Sequence, residues 1–88
     1  MGRIEGEKMN QKQVIKFMAY DADLTDYVEI PELSKRFTEG NEGLPLESSV
    51  FHWYEAGKCI EHFRIEIIKS KIVDYDNSLH TDILAQPL

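Results

Sequence analysis

The chain has 88 residues, 42% of them apolar and 30% charged, a balance that fits one folded domain with a modest core and argues against a disordered chain. Sixteen acidic side chains outweigh ten basic ones, so the formal net charge is −6, and nonspecific nucleic-acid binding by the whole molecule is disfavoured, because phosphate affinity comes from clustered cations. One cysteine cannot form an internal disulfide, and so short a chain has no room for a substrate pocket, a cofactor domain and a lid together, so the reading is a non-enzymatic binding domain without a cofactor.

The first expected element is a helix over residues 9–20, where Val14, Phe17 and Met18 recur at helical spacing and Asn10 can cap the start. Residues 1–9 before it read as a flexible segment. An acidic stretch, 21–26, breaks the pattern, and 27–30 is a short β-favourable run. Pro31 then suits the first position of a second helix carrying Leu33 and Phe37 four residues apart. Two glycines, an asparagine and a proline mark 38–45 as a loop. A third helix is expected over 46–56, with Val50, Trp53 and Tyr54 as its apolar stripe and Gly57 ending it.

From residue 58 the composition turns β-branched. Phe63, Ile65 and Ile67 alternate with Arg64 and Glu66 as a half-buried strand does, and a second strand over 71–75 would pair with it through a turn at Lys69 and Ser70. A fourth helix carrying Ile60, Phe63 and Ile67 is the alternative. Residues 77–88 read as a loosely attached tail. The expected fold is thus α+β, three helices plus a C-terminal β-hairpin over 10–76. Val14, Phe17, Leu33, Phe37, Val50, Trp53, Phe63 and Ile65 are its expected core. No apolar stretch approaches the roughly 20 residues of a membrane helix and no secretory signal is visible, so a cytoplasmic protein without membrane contact is expected.

This order of elements, with the short strand and second helix in residues 27–37 and the third helix in 48–57, resembles a winged helix-turn-helix domain of the excisionase-like phage regulator type. The resemblance implies transcription regulation through DNA or a transcription partner, and in the DNA case the third helix enters the major groove and the wing meets the backbone. It implies base contacts from Ser48, Ser49 and His52. Phosphate contacts would come from Lys35, Arg36, Lys58, Arg64, Lys69 and Lys71. The alternative from another class is an acidic inhibitor or adaptor whose Asp21, Asp23, Asp26 and Glu29 meet a basic protein surface.

A secondary resemblance lies in 21–32, which is similar to an EF-hand loop. Asp21, Asp23, Thr25 and Glu32 stand at positions whose oxygens ligate calcium in that family. Asp26 occupies the sixth position, where glycine turns the loop, so folding is expected not to need calcium. Cys59 and His62 are three apart, a spacing that can present two metal ligands. Strict strand alternation would point them to opposite faces, and His52 and His80 stand in no paired spacing, so no metal site is assigned from the sequence.

Overall fold

The computed structural model describes residues 12–40, 43–73, 75 and 77–88. The flexible segment expected over residues 1–9, and the cap at Asn10, lie outside the described residues. The elements are β1 (Lys12–Asp21), β2 (Asp26–Glu29), α1 (Pro31–Glu39), β3 (Val50–Glu55), β4 (Lys58–Val73) and β5 (Ser78–Pro87). All five strands form one sheet in the order β2-β1-β5-β4-β3. The pairs are antiparallel except β1 with β5, which run parallel.

This overturns the winged-helix resemblance and the fold of three helices with a terminal hairpin: there is one helix among the described residues, and the rest is predominantly strand. The first and third expected helices are β1 and β3. Their apolar residues fit two periods at once. Val14, Phe17 and Met18 make a helical stripe, but Ile15, Phe17 and Ala19 also alternate with Lys16 and Met18, and that alternation is the one used. Likewise Phe51 and Trp53 alternate with Val50, His52 and Tyr54. The short strand expected over 27–30 occurs as β2, and the helix opened by Pro31 occurs as α1.

The expected strand pair within 58–75 is instead one strand of 16 residues. At about 3.3 Å per residue it spans some ~50 Å, matching the long dimension of a 51 × 30 × 21 Å molecule. Its partner turn lies earlier, at Ala56 and Gly57, where φ is 52° and 82°. Positive φ at both central residues is the type I′ signature, which matches the strand twist. Gly57 therefore closes a hairpin and does not end a helix. Residues 77–88, expected as a loose tail, contain β5, which lies between β1 and β4 at the centre of the sheet.

The core lies between α1 and one sheet face. It holds Ile15, Phe17, Leu33, Phe37, Phe63, Ile65, Ile83 and Ala85, with Phe51, Trp53 and Ile68 packed against it. Phe17 is fully buried and touches three other rings, Phe37, Phe51 and Phe63, at centroid distances of 6.0, 5.5 and 5.2 Å. Two expected core residues, Val14 and Val50, are displaced by their neighbours Ile15 and Phe51. Misreading a strand as a helix shifts the inward set by one residue, and Val50 is 42% exposed on the other face.

The helix also seals a sheet edge. Ser34 and Thr38 lie four apart and face β1. Ser34 Oγ accepts the N–H of Phe17 at 2.8 Å. Thr38 Oγ1 accepts the N–H of Ile15 at 2.9 Å and donates to the carbonyl of the same residue at 3.0 Å. The Ile30 N–H donates to the Phe17 carbonyl at 2.9 Å. These side chains satisfy backbone groups that an edge strand otherwise leaves open to a foreign strand.

Candidate functional site: an acidic hairpin and an open sheet face

The β1–β2 hairpin gathers Asp21, Asp23, Asp26 and Glu29. Asp21 ends β1 and is paired directly with Asp26, the first residue of β2. The Asp21 carboxylate accepts the backbone N–H groups of Asp23 at 2.9 Å and Leu24 at 3.3 Å, which folds the four-residue loop back on itself. Asp26 accepts the N–H of Tyr27 at 2.7 Å. Thr25 takes φ 49° and donates its hydroxyl to the Leu24 carbonyl at 2.6 Å.

A strand therefore precedes this loop where the EF-hand resemblance implied a helix. The proposed calcium ligands Asp21, Asp23 and Thr25 belong to a tight hairpin, and Glu32 sits in the first turn of α1, where the helix dipole favours a carboxylate. What the hairpin does present is charge. Residues 17–34 hold five carboxylates and no lysine, arginine or histidine. Leu24 stands 63% exposed among them at the tip.

The residues assigned to DNA contact do not form one surface. Lys35 and Arg36 are on α1. Arg36 reaches the Glu55 carboxylate at 3.4 Å and the Tyr54 carbonyl at 3.5 Å. Arg64 lies between buried Phe63 and Ile65, so it points away from α1. Ile68 packs on the core, which sends Lys69 and Lys71 to that same far face, opposite Asp82 and His80 of β5. A shallow hollow there is lined by Lys69, Ser70, Lys71, His80 and Asp82, mixed in sign. Lys58 is at the β3–β4 turn. Ser48 and Ser49 are not on a helix. They precede β3 and bond to β4 through the Ser48 N–H to the Ile65 carbonyl, 2.7 Å, and the Ile65 N–H to the Ser49 carbonyl, 2.9 Å.

The far face of the sheet has no helix over it among the described residues. Tyr54 is 53% exposed there, and Tyr20 packs edge-on against Tyr27. The same face carries a cluster that sequence reasoning dismissed. His52 and His62 are directly opposed across β3 and β4, and their Nδ1 atoms are 2.7 Å apart. Cys59 Sγ lies 3.6 Å from His62 Nε2 and 3.8 Å from its Nδ1. One ligand atom from each of the three lies within 4.8 Å of the others, and all three residues are exposed.

Alternation failed here because of a β-bulge. The register shifts between Trp53 and Tyr54, Ile60 becomes the extra residue, and Cys59 falls opposite Tyr54 where an unbroken register would set it opposite Glu55. The cysteine is thereby turned onto the histidine face. The only sequence signal was the Cys59–His62 spacing itself. His80 is not part of the cluster and bonds to the Ser78 hydroxyl at 3.0 Å.

No helix among the described residues is long and apolar enough to cross a membrane. Comparison of the chain with protein-family models, with curated proteins and with solved structures gives no match.

Proposed function

We propose that the chain is a non-catalytic binding module that meets a basic surface of a partner protein through the β1–β2 hairpin. The observation that carries this reading is the direct pairing of Asp21 with Asp26 beside an exposed loop, with no cation in residues 17–34. Like charges opposite each other on antiparallel strands cost stability. A basic counter-surface removes that cost on binding and speeds encounter through long-range attraction. Exposed Leu24 adds an apolar contact at the centre of the charged rim. The cations are divided between α1 and the far sheet face, and on that face Asp82 stands between Lys16 and Lys69, which disfavours a continuous phosphate track.

A photoreactive side chain at position 24 tests this in the native host. Covalent capture of a basic protein is expected, falling with salt and in the variant D21N/D23N/D26N/E29Q, whose amides keep the loop's hydrogen-bond acceptors. Capture that is indifferent to the four substitutions overturns the reading. So does retardation of duplex DNA at low salt by the unaltered chain, with tighter DNA binding by the neutral variant.

A further inference from the structure

We propose that His52, Cys59 and His62 form a binding site for a borderline or soft divalent transition-metal ion, with Zn²⁺ the ion whose preferences the site fits. The site is independent of the hairpin reading and lies at the opposite end of the strand order, on β3 and β4.

The donor set carries the choice of metal. Two imidazole nitrogens and one thiolate suit Zn²⁺ and its neighbours in the transition series, whereas Mg²⁺ and Ca²⁺ require oxygen ligands. Among the described residues no carboxylate belongs to the cluster, and Glu61 pairs with Trp53 on the side of the sheet facing α1. The distances are close to those a bound ion demands. Tetrahedral zinc, with nitrogen at about 2.0 Å and sulfur at about 2.3 Å, sets the ligand separations near ~3.3 Å for N···N and ~3.6 Å for S···N. The two Nδ1 atoms stand at 2.7 Å and Cys59 Sγ at 3.8 Å from His62 Nδ1. The remaining pair, Cys59 and His52, lies within 4.8 Å, so side-chain adjustments of up to about an ångström admit the ion.

A cross-strand hydrogen bond joins the two histidines and the Cys59 thiol donates to the Glu61 carbonyl at 3.6 Å, but neither contact by itself brings all three donor atoms to one spot. Cys59 reaches them only through the bulge at Ile60, and the bulge follows a two-residue turn in which Ala56 holds a positive φ that a non-glycine residue adopts at a cost. The register shift at the bulge brings the chain's single cysteine and two of its three histidines to one spot. Sites with three protein ligands keep the fourth position for water or an incoming group, and the exposure of this cluster leaves that position accessible. On binding, the Cys59 thiol gives its proton to solvent and the thiolate sulfur coordinates the ion. Both imidazoles bind neutral, the one that had donated from Nδ1 moving its proton to Nε2.

Titration of the reduced full-length chain with Co²⁺ reads the site directly. One equivalent is expected to bind, with a thiolate-to-cobalt charge-transfer band that Zn²⁺ abolishes by displacement, and Zn²⁺ should raise the melting temperature. Cys59→Ser should remove the band. His52→Ala and His62→Ala should each weaken binding by at least about tenfold. His80→Ala should leave binding unchanged. The three ligands are exposed, so the metal-free variants should melt with the unaltered protein, which separates lost ligation from lost fold. Absence of a charge-transfer band overturns the proposal. So does wild-type affinity in Cys59→Ser or His52→Ala, or an equal loss in His80→Ala.

Discussion

Two hairpins flank the sheet, and they are closed by different means. The β1–β2 turn has four residues and is held by a side chain, the Asp21 carboxylate accepting two backbone N–H groups. The β3–β4 turn has two residues and is held by backbone conformation, with positive φ at Ala56 and Gly57. The first hairpin is short, acidic and fastened to α1 along its edge. The second is long and carries the histidine–cysteine cluster on the face opposite α1. Chemistry follows closure: a turn held by carboxylates becomes a charged tip, while a tight turn followed by a bulge re-aims side chains. Neither hairpin pairs with the other. β5 lies between β1 and β4 and joins them.

That dependence on β5 makes the largest expected effect. A chain ending at residue 77 should lose cooperative thermal unfolding, because both central pairings disappear together. A truncated chain that still melts in one sharp transition would show the hairpins to be self-sufficient. Phe17→Ala comes next. Phe17 on β1 contacts Phe51 on β3 as well as Phe37 on the helix, so its removal should cost about 3–5 kcal/mol in denaturant unfolding. Val50→Ala, at a 42% exposed position on the far face, should cost less than about 1 kcal/mol. Equal losses at the two positions would mean that the far face is buried in an assembly.

A smaller effect tests the edge seal. Ser34→Ala leaves the buried Phe17 N–H without its acceptor and should cost about 1–3 kcal/mol, with faster hydrogen exchange at that amide. The smallest effect has the opposite sign. Asn tolerates positive φ better than Ala, so Ala56→Asn creates the Asn-Gly pair that type I′ turns favour and should raise stability by up to about 1 kcal/mol. A fall in stability there would mean that the strain at Ala56 is offset by a contact the substitution removes.

Some of this was legible in the residues. Pro31 followed by Leu33 and Phe37 specified α1, because proline at a helix start and an i, i+4 apolar pair are local signals that need no tertiary partner. The acidic run in 21–32 and the division of charge along the chain were equally local. The alternation of Phe63 and Ile65 with Arg64 also favoured a strand, although Ile60, Phe63 and Ile67 left a helix open as the alternative. What the tertiary structure alone decided is what depends on pairing. Segments 12–21 and 50–55 satisfy helical and strand periods alike, and only a neighbouring strand settles the choice, moving the inward residue from Val14 to Ile15 and from Val50 to Phe51. β5 mixes Thr81 and Ile83 with Ser78 and Ala85 at its buried positions, and its place between β1 and β4 is set by partners on both sides. The cluster of His52, Cys59 and His62 depends on a single extra residue at Ile60. A bulge is a property of how two strands register, so no reading of either strand alone contains it.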